Sequence, residues 1–159
     1  MKERIYLGLG TNLGNKIENL TRAIEALSLA LGTCKAQSSF LETEPWGFES
    51  SNSFLNCVVA FDTELTPTEL LDTTERIERE LGRMVKSTGG NYHDRLIDID
   101  ILLYGNTVIE SERLTIPHPL MHLRDFVLMP LAEIAPDAIL PTLGKSIKEL
   151  LEERGIRNI

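Results

Sequence analysis

Cysteine is nearly absent from this sequence: Cys34 and Cys57 are the two it holds. Their spacing matches neither a CxxC pair nor a zinc ligand set, so two reduced thiols in a cytosolic protein are expected. No apolar run approaches the roughly 20 residues that a membrane span requires. Met1-Lys2-Glu3-Arg4 leads into a short alternating segment instead of a signal sequence. Basic charge is also scarce. Sixteen Lys and Arg face twenty-four Asp and Glu, for a net charge of −8. Such a field opposes nonspecific contact with nucleic acid or an anionic membrane, although a local Arg cluster or a metal can still draw a polyanionic substrate. Linkers, low-complexity tracts, heptads and close repeats are missing too. What remains is a cytoplasmic globular protein with no membrane or nucleic-acid partner.

The 159 residues make one ordinary domain, read here as spanning 1–159. A chain of this length buries roughly 70% of its unfolded surface and needs no staple. Ile5 to Leu9 alternates like a strand. From Asn15, the apolar stripe Ile17, Leu20, Ile24, Leu27, Leu31 predicts a helix that stops at Gly32. Extended segments follow near Cys34–Glu42 and Phe54–Thr63, with a long irregular connection from Glu44 to Asn52 between them. Thr66-Pro67-Thr68-Glu69 combines a capping box with Pro at the first helical position, and Gly82 is expected to end that helix. The polar segment Arg83–Asp94 is too long for a mere connector, and its Gly89-Gly90 and scarcity of apolar anchors predict a mobile lid over residues 84–94. Leu96–Leu103 reads as a strand that turns through Tyr104-Gly105-Asn106 back into Val108-Ile109. A helix over roughly Leu123–Ile134 and another capped by Ser146-Ile147-Lys148-Glu149 complete the chain. The order β-α-β-β-α-β with a helical C-terminal addition predicts an α+β fold of the ferredoxin-like, split βαβ kind: an antiparallel sheet with helices on one face.

Three motifs look like chemistry without supplying it. Gly8-Leu9-Gly10-Thr11-Asn12-Leu13-Gly14 lies between a strand and a helix, but its third glycine is one place late for a dinucleotide fingerprint. Its glycines are read as permitting a tight turn and close backbone approach. Gly144-Lys145-Ser146 lacks the earlier glycine of a P-loop, since Ile139 stands there, and Ser146 is better explained as a helix cap. His118 and His122 have the spacing of two zinc ligands, with no third ligand implied nearby.

Arg95-Leu96-Ile97-Asp98-Ile99-Asp100-Ile101 carries the chemical signal. Side chains alternate along a strand, so Asp98 and Asp100 share one face while Ile97, Ile99 and Ile101 share the other. Their Cα atoms lie roughly 6.5–7 Å apart. Two such carboxylates repel one another and are costly to bury unpaired, and Asp is a poor strand former. A divalent cation between them removes that cost. All-oxygen ligation suits Mg²⁺ with phosphate completing its shell. Arg83, Arg95, Arg113, His118 and Arg124 surround the pair in sequence, and paired Asp with flanking cations points to phosphoryl transfer. The alternative for the pair is a tolerated polar strand face.

At these residues the sequence resembles the 6-hydroxymethyl-7,8-dihydropterin pyrophosphokinase family. The resemblance spans nearly the whole chain. It rests on residues 8–14, Thr43-Glu44-Pro45-Trp46-Gly47, Phe54-Leu55-Asn56, Glu75-Arg76-Ile77-Glu78 with Gly82-Arg83, the 95–101 strand, and Arg113-Leu114-Thr115-Ile116-Pro117-His118. It implies a ferredoxin-like fold and transfer of pyrophosphate from ATP to the hydroxymethyl oxygen of the reduced pterin, releasing AMP, in folate biosynthesis. It further implies that Asp98 and Asp100 bind two Mg²⁺ ions, with Arg83 and Arg95 joining them as catalytic residues. Thr43, Glu44, Trp46, Phe54, Asn56 and Phe126 would bind the pterin, its ring between Phe54 and Phe126. Glu75, Glu78, Arg83, Arg95, Ile101, Arg113, Thr115, His118 and Arg124 would contact ATP. The chain departs from the family pattern at Glu44, where a first proline is usual, at Val85, where a second Arg is often found, and at Tyr92-His93-Asp94, where Trp-Gly-Pro is common. A monomer is expected. The competing function is a noncatalytic ferredoxin-like module for a metabolite or RNA. RNA binding would want exposed aromatics and a basic face, where this strand carries paired Asp.

Overall fold

The structure is a computed structural model, and it describes residues 2–43, 53–83 and 96–155. The chain runs β1 (Glu3–Thr11), α1 (Lys16–Leu31), β2 (Ala36–Gln37), β3 (Leu41–Thr43), β4 (Phe54–Thr63), α2 (Pro67–Arg83) and β5 (Asp98–Tyr104). After these come β6 (Ile109–Glu110), β7 (Thr115–Ile116), a 3-10 turn at Met121–Leu123, α3 (Asp125–Ile134), β8 (Ile139–Leu140), β9 (Lys145–Ser146) and α4 (Ile147–Glu153). The main sheet has the order β2-β4-β1-β5, with β3 also paired to β4, and every pairing is antiparallel. It is an α+β architecture.

Alternation along the strands builds two cores. Ile5, Leu7 and Leu9 of β1, Cys57, Val59 and Phe61 of β4, and Ile99 and Ile101 of β5 pack against Leu20, Ala23 and Leu27 of α1 and Leu70 and Ile77 of α2. The opposite face presents Val58, Leu102 and Leu103 to Val127, Leu128 and Leu131 of α3 and to Leu150 and Leu151 of α4. Helices therefore cover both faces, which corrects the one-faced expectation. The β1–β5 register shifts between Tyr6 and Leu7, and beyond that irregularity Leu102 and Leu103 both join the second core. The C-terminal addition thus supplies a layer that the four-strand, two-helix pattern leaves open.

Helix boundaries follow local chemistry. Asn15 Oδ1 accepts from Glu18 N at 3.1 Å to start α1, and Gly32 ends it at φ 101°. Gly82 does not end α2. It is absent from the positive-φ glycines, so its backbone stays helical through Arg83. The strand expected from Leu96 begins at Asp98, and Ile109 does not return along it: β6 pairs with β7 in a separate hairpin. Gly8 and Gly10 lie inside β1, not in a turn; Gly14, at φ 64°, supplies the turn.

Both sequence-read capping boxes form. At α4, Ser146 Oγ accepts from Glu149 N at 3.1 Å while Glu149 Oε1 accepts from Ser146 N at 3.2 Å. This accounts for Ser146 without a P-loop. Ser146→Ala should cost about 1 kcal/mol, a drop of about 2–4 °C in Tm. An unchanged melting curve would show that the α4 cap contributes nothing.

Candidate active site

The register of three strands builds the floor of the site. Gly10 lies opposite Asn56 on one side and Asp98 on the other; Gly8 lies likewise between Val58 and Asp100. Residues directly opposite share a face, so Asn56, Gly10 and Asp98 form one row and Val58, Gly8 and Asp100 the next. Adjacent strands are about 4.7–4.9 Å apart, which puts the Asn56 and Asp98 backbones about 10 Å from each other. The glycines keep the strand between them bare.

One end of the row is built for recognition. Asn56, 6% exposed, donates from Nδ2 to Thr43 Oγ1 at 2.9 Å. Phe54 lies two residues before Asn56 on the same strand face, and its Cδ1 is 3.7 Å from where a Gly10 Cβ would be. Phe126, in the first turn of α3, is half-buried with the Arg124 guanidinium 5.6 Å over its ring. Phe54 beside a held amide suits a flat heterocycle, and Phe126 lies on the helix that packs against the same sheet face.

The other end is acidic. Glu78 of α2 accepts from Ile99 N at 2.8 Å, which seats its carboxylate beside Asp98. Burial and then the charges of Asp98 and Asp100 push Glu78 up to about 7, partly offset by the Ile99 amide. His118 Nε2 stands 3.9 Å from Asp100 Oδ2, while its Nδ1 accepts from Leu120 N at 3.3 Å. Burial and then Arg124 lower His118 to about 4, so at neutral pH it is uncharged with its proton on Nε2. Among the described residues, no group of three or more His, Cys, Asp and Glu is arranged as a metal cage. Two carboxylates on one open strand face fit Mg²⁺, which keeps water or phosphate oxygens for most of its shell.

Other residues singled out in the sequence fall into place unevenly. Arg113 pairs with both Asp72 and Glu75, the latter at 2.8 Å, so an expected ATP contact and Glu75 face each other on the outer side of α2. That exposed cleft, about 380 Å³, is also lined by Thr73, Arg76 and Arg79. Thr115 lies in β7, next to the cis Ile116–Pro117 peptide that leads to His118. Ile101 is 5% exposed and packs in the α1–α2 core, so only its backbone can face a ligand. Glu44, Trp46, Arg95, the side chain of Arg83 and the expected lid at 84–94 lie outside the described residues. Sequence reasoning missed the Thr43–Asn56 and Glu78–Ile99 bonds, which span 13 and 21 residues and leave no local periodicity.

An antiparallel α+β sheet carrying paired carboxylates one strand away from a held amide and a phenylalanine is suited to a phosphate-bearing ligand and a flat heterocycle. Residues 6–136 match the family model described as 7,8-dihydro-6-hydroxymethylpterin-pyrophosphokinase. The chain is 53% identical over 133 residues to the 2-amino-4-hydroxy-6-hydroxymethyldihydropteridine pyrophosphokinase of Porphyromonas gingivalis, covering 83% of this chain and 90% of that one. It is 44% identical over 149 residues to the protein of that name from Haemophilus influenzae, covering 93% and 91%. Its fold matches the crystal structure of Plasmodium falciparum wild-type HPPK-DHPS with a TM-score of 0.78 at 17% identity; the match covers 97% of this chain and 45% of that chain. This chain belongs to the 7,8-dihydro-6-hydroxymethylpterin-pyrophosphokinase family.

Proposed function

We propose that this chain transfers pyrophosphate from ATP to the hydroxymethyl oxygen of 6-hydroxymethyl-7,8-dihydropterin, releasing AMP, in folate biosynthesis. The observation that carries the reading is the Asn56–Gly10–Asp98 row, in a chain of this family. It sets an amide suited to a pterin edge one bare strand away from a carboxylate suited to a metal-bound triphosphate. Asn56 and Thr43 hold the pterin edge, with Glu44 and Trp46 completing that end, and Phe54 and Phe126 face its ring. Asp98 and Asp100 would hold two Mg²⁺ ions, and these would supply the positive charge that a triphosphate needs to be attacked at its β-phosphorus. Arg83 and Arg95 act on the same phosphates as catalytic residues. Arg113, Arg124 and Thr115 orient the chain of phosphates, and neutral His118 offers its Nε2 proton beside Asp100. Glu75, Glu78 and the Ile101 backbone border the nucleotide.

The antiparallel order β2-β4-β1-β5, with α1 and α2 on one face, supports the ferredoxin-like, split βαβ label. We read residues 1–159 as one domain acting as a cytoplasmic monomer. No helix among the described residues is long and apolar enough to cross a membrane.

Attack on the β-phosphorus leaves AMP, whereas an ordinary kinase leaves ADP. Incubating the protein with ATP and Mg²⁺ should therefore give AMP only when the dihydropterin is added. ADP as the sole nucleotide product would sink the reading, and no pterin-dependent turnover would favour a noncatalytic binding module.

A further inference from the structure

Gly10 occupies the one position where β1 faces both ends of the site. A Cβ built on it would lie 2.9 Å from Asn56 Oδ1, closer than carbon and oxygen tolerate. The neighbouring Gly8 is different: its Cβ would meet Leu102 at 3.4 Å, an ordinary contact. The Asn56 amide cannot simply swing aside. Its Nδ2 is held by Thr43 Oγ1 at 2.9 Å, and the residue is 6% exposed within β4. Thr43 is itself fixed at the end of β3, opposite Phe54 in the β3–β4 pairing.

We infer that Gly10 and the Thr43 hydroxyl are positioning residues that hold the Asn56 side chain in place on the site floor, and so set the selectivity of this site for the pterin edge. The inference rests on the pyrophosphokinase reading above. An amide offers two donors on nitrogen and an acceptor on oxygen, which serve a ligand edge only while the side chain is held within reach of it. Thr43 holds the nitrogen side, and the missing Cβ at Gly10 leaves space for the oxygen side. A heterocycle whose donors and acceptors match the held amide loses those bonds when the amide is displaced, and an unmatched buried polar group is costly. Neither residue needs to touch phosphate. Their loss should weaken pterin recognition and leave the nucleotide end alone.

The test uses the full chain with ATP, Mg²⁺ and 6-hydroxymethyl-7,8-dihydropterin, following AMP formation. Thr43→Val keeps the side-chain shape without the hydroxyl and should raise KM for the pterin about tenfold, with KM for ATP within twofold of the parent. Thr43→Ser restores the hydroxyl and should recover most of the loss. Gly10→Ala should raise the pterin KM by tenfold or more. Calorimetry with the dihydropterin and non-cleavable α,β-methylene-ATP should show the same ranking in Kd. Parent-like pterin KM and Kd in Thr43→Val would overturn the inference even if Gly10→Ala failed to fold. Equal rises in both KM values, or no rescue by Ser, would overturn it as well, by reducing the pair to a structural role. A parent protein that forms no AMP would defeat the pyrophosphokinase reading itself, a separate result.

Discussion

Asp98→Ala and Asp100→Ala are each expected to lower Mg²⁺-dependent turnover by at least about 10²–10³, with the fold intact. The two carboxylates sit side by side on the open face of β5, flanking bare Gly8 and Gly10. On the proposed reading, removing one takes away a negative oxygen ligand for Mg²⁺, so triphosphate charge would be less well neutralised and less well oriented. Losses of this electrostatic kind cost on the order of 3–4 kcal/mol in the barrier. Above about pH 7 the melting temperature should hold or rise, because Asp98 and Asp100 both raise the Glu78 carboxyl by their charge and removing either relieves repulsion on the ionised form. Asn at either position should retain partial activity, since its carbonyl still coordinates without charge. Near-normal turnover in either Ala variant would make the pair a tolerated polar face.

Glu78→Gln should stabilise the metal-free protein at pH 8 and do nothing at pH 4. In the folded chain burial raises Glu78 from 4.5 to about 7. The folded state therefore holds a proton that the unfolded state has already released. Stability from that bound proton is full below about pH 4.5, declines as pH rises, and is gone above about 7. Gln carries no charge to bury, and its carbonyl can still accept from Ile99 N. The variant gains on the order of 1–2 kcal/mol over the parent above pH 7, because solvent at the half-exposed carboxylate screens part of the effect, and the gain fades towards pH 4.5. Melting temperature measured from pH 4.5 to 8 for both proteins checks this. Parallel curves would mean that Glu78 is ionised throughout.

The sequence by itself determined the elements whose signals are local. The α1 stripe from Leu20 to Leu31, the Thr66 and Ser146 capping boxes and the alternation of Ile97, Ile99 and Ile101 each rest on spacing between neighbouring turns or residues, so spacing alone predicts them, although Ile17 at the head of the stripe is exposed. Asp98 and Asp100 were legible for the same reason: strand geometry puts alternate residues on one face wherever the strand lies. The tertiary structure decided what depends on register. Only the pairing of β1 with β4 and β5 sets Gly10 between Asn56 and Asp98, and only that arrangement turns a supposed turn glycine into the floor of a site. Only α2 packing on β5 brings Glu78 to Ile99 N. The second core was invisible to the strand pattern because its members, Val58, Leu102 and Leu103, take their face from the sheet and from an irregularity in it. Contacts between residues distant in sequence follow from how strands slide against one another, and no local period records that offset.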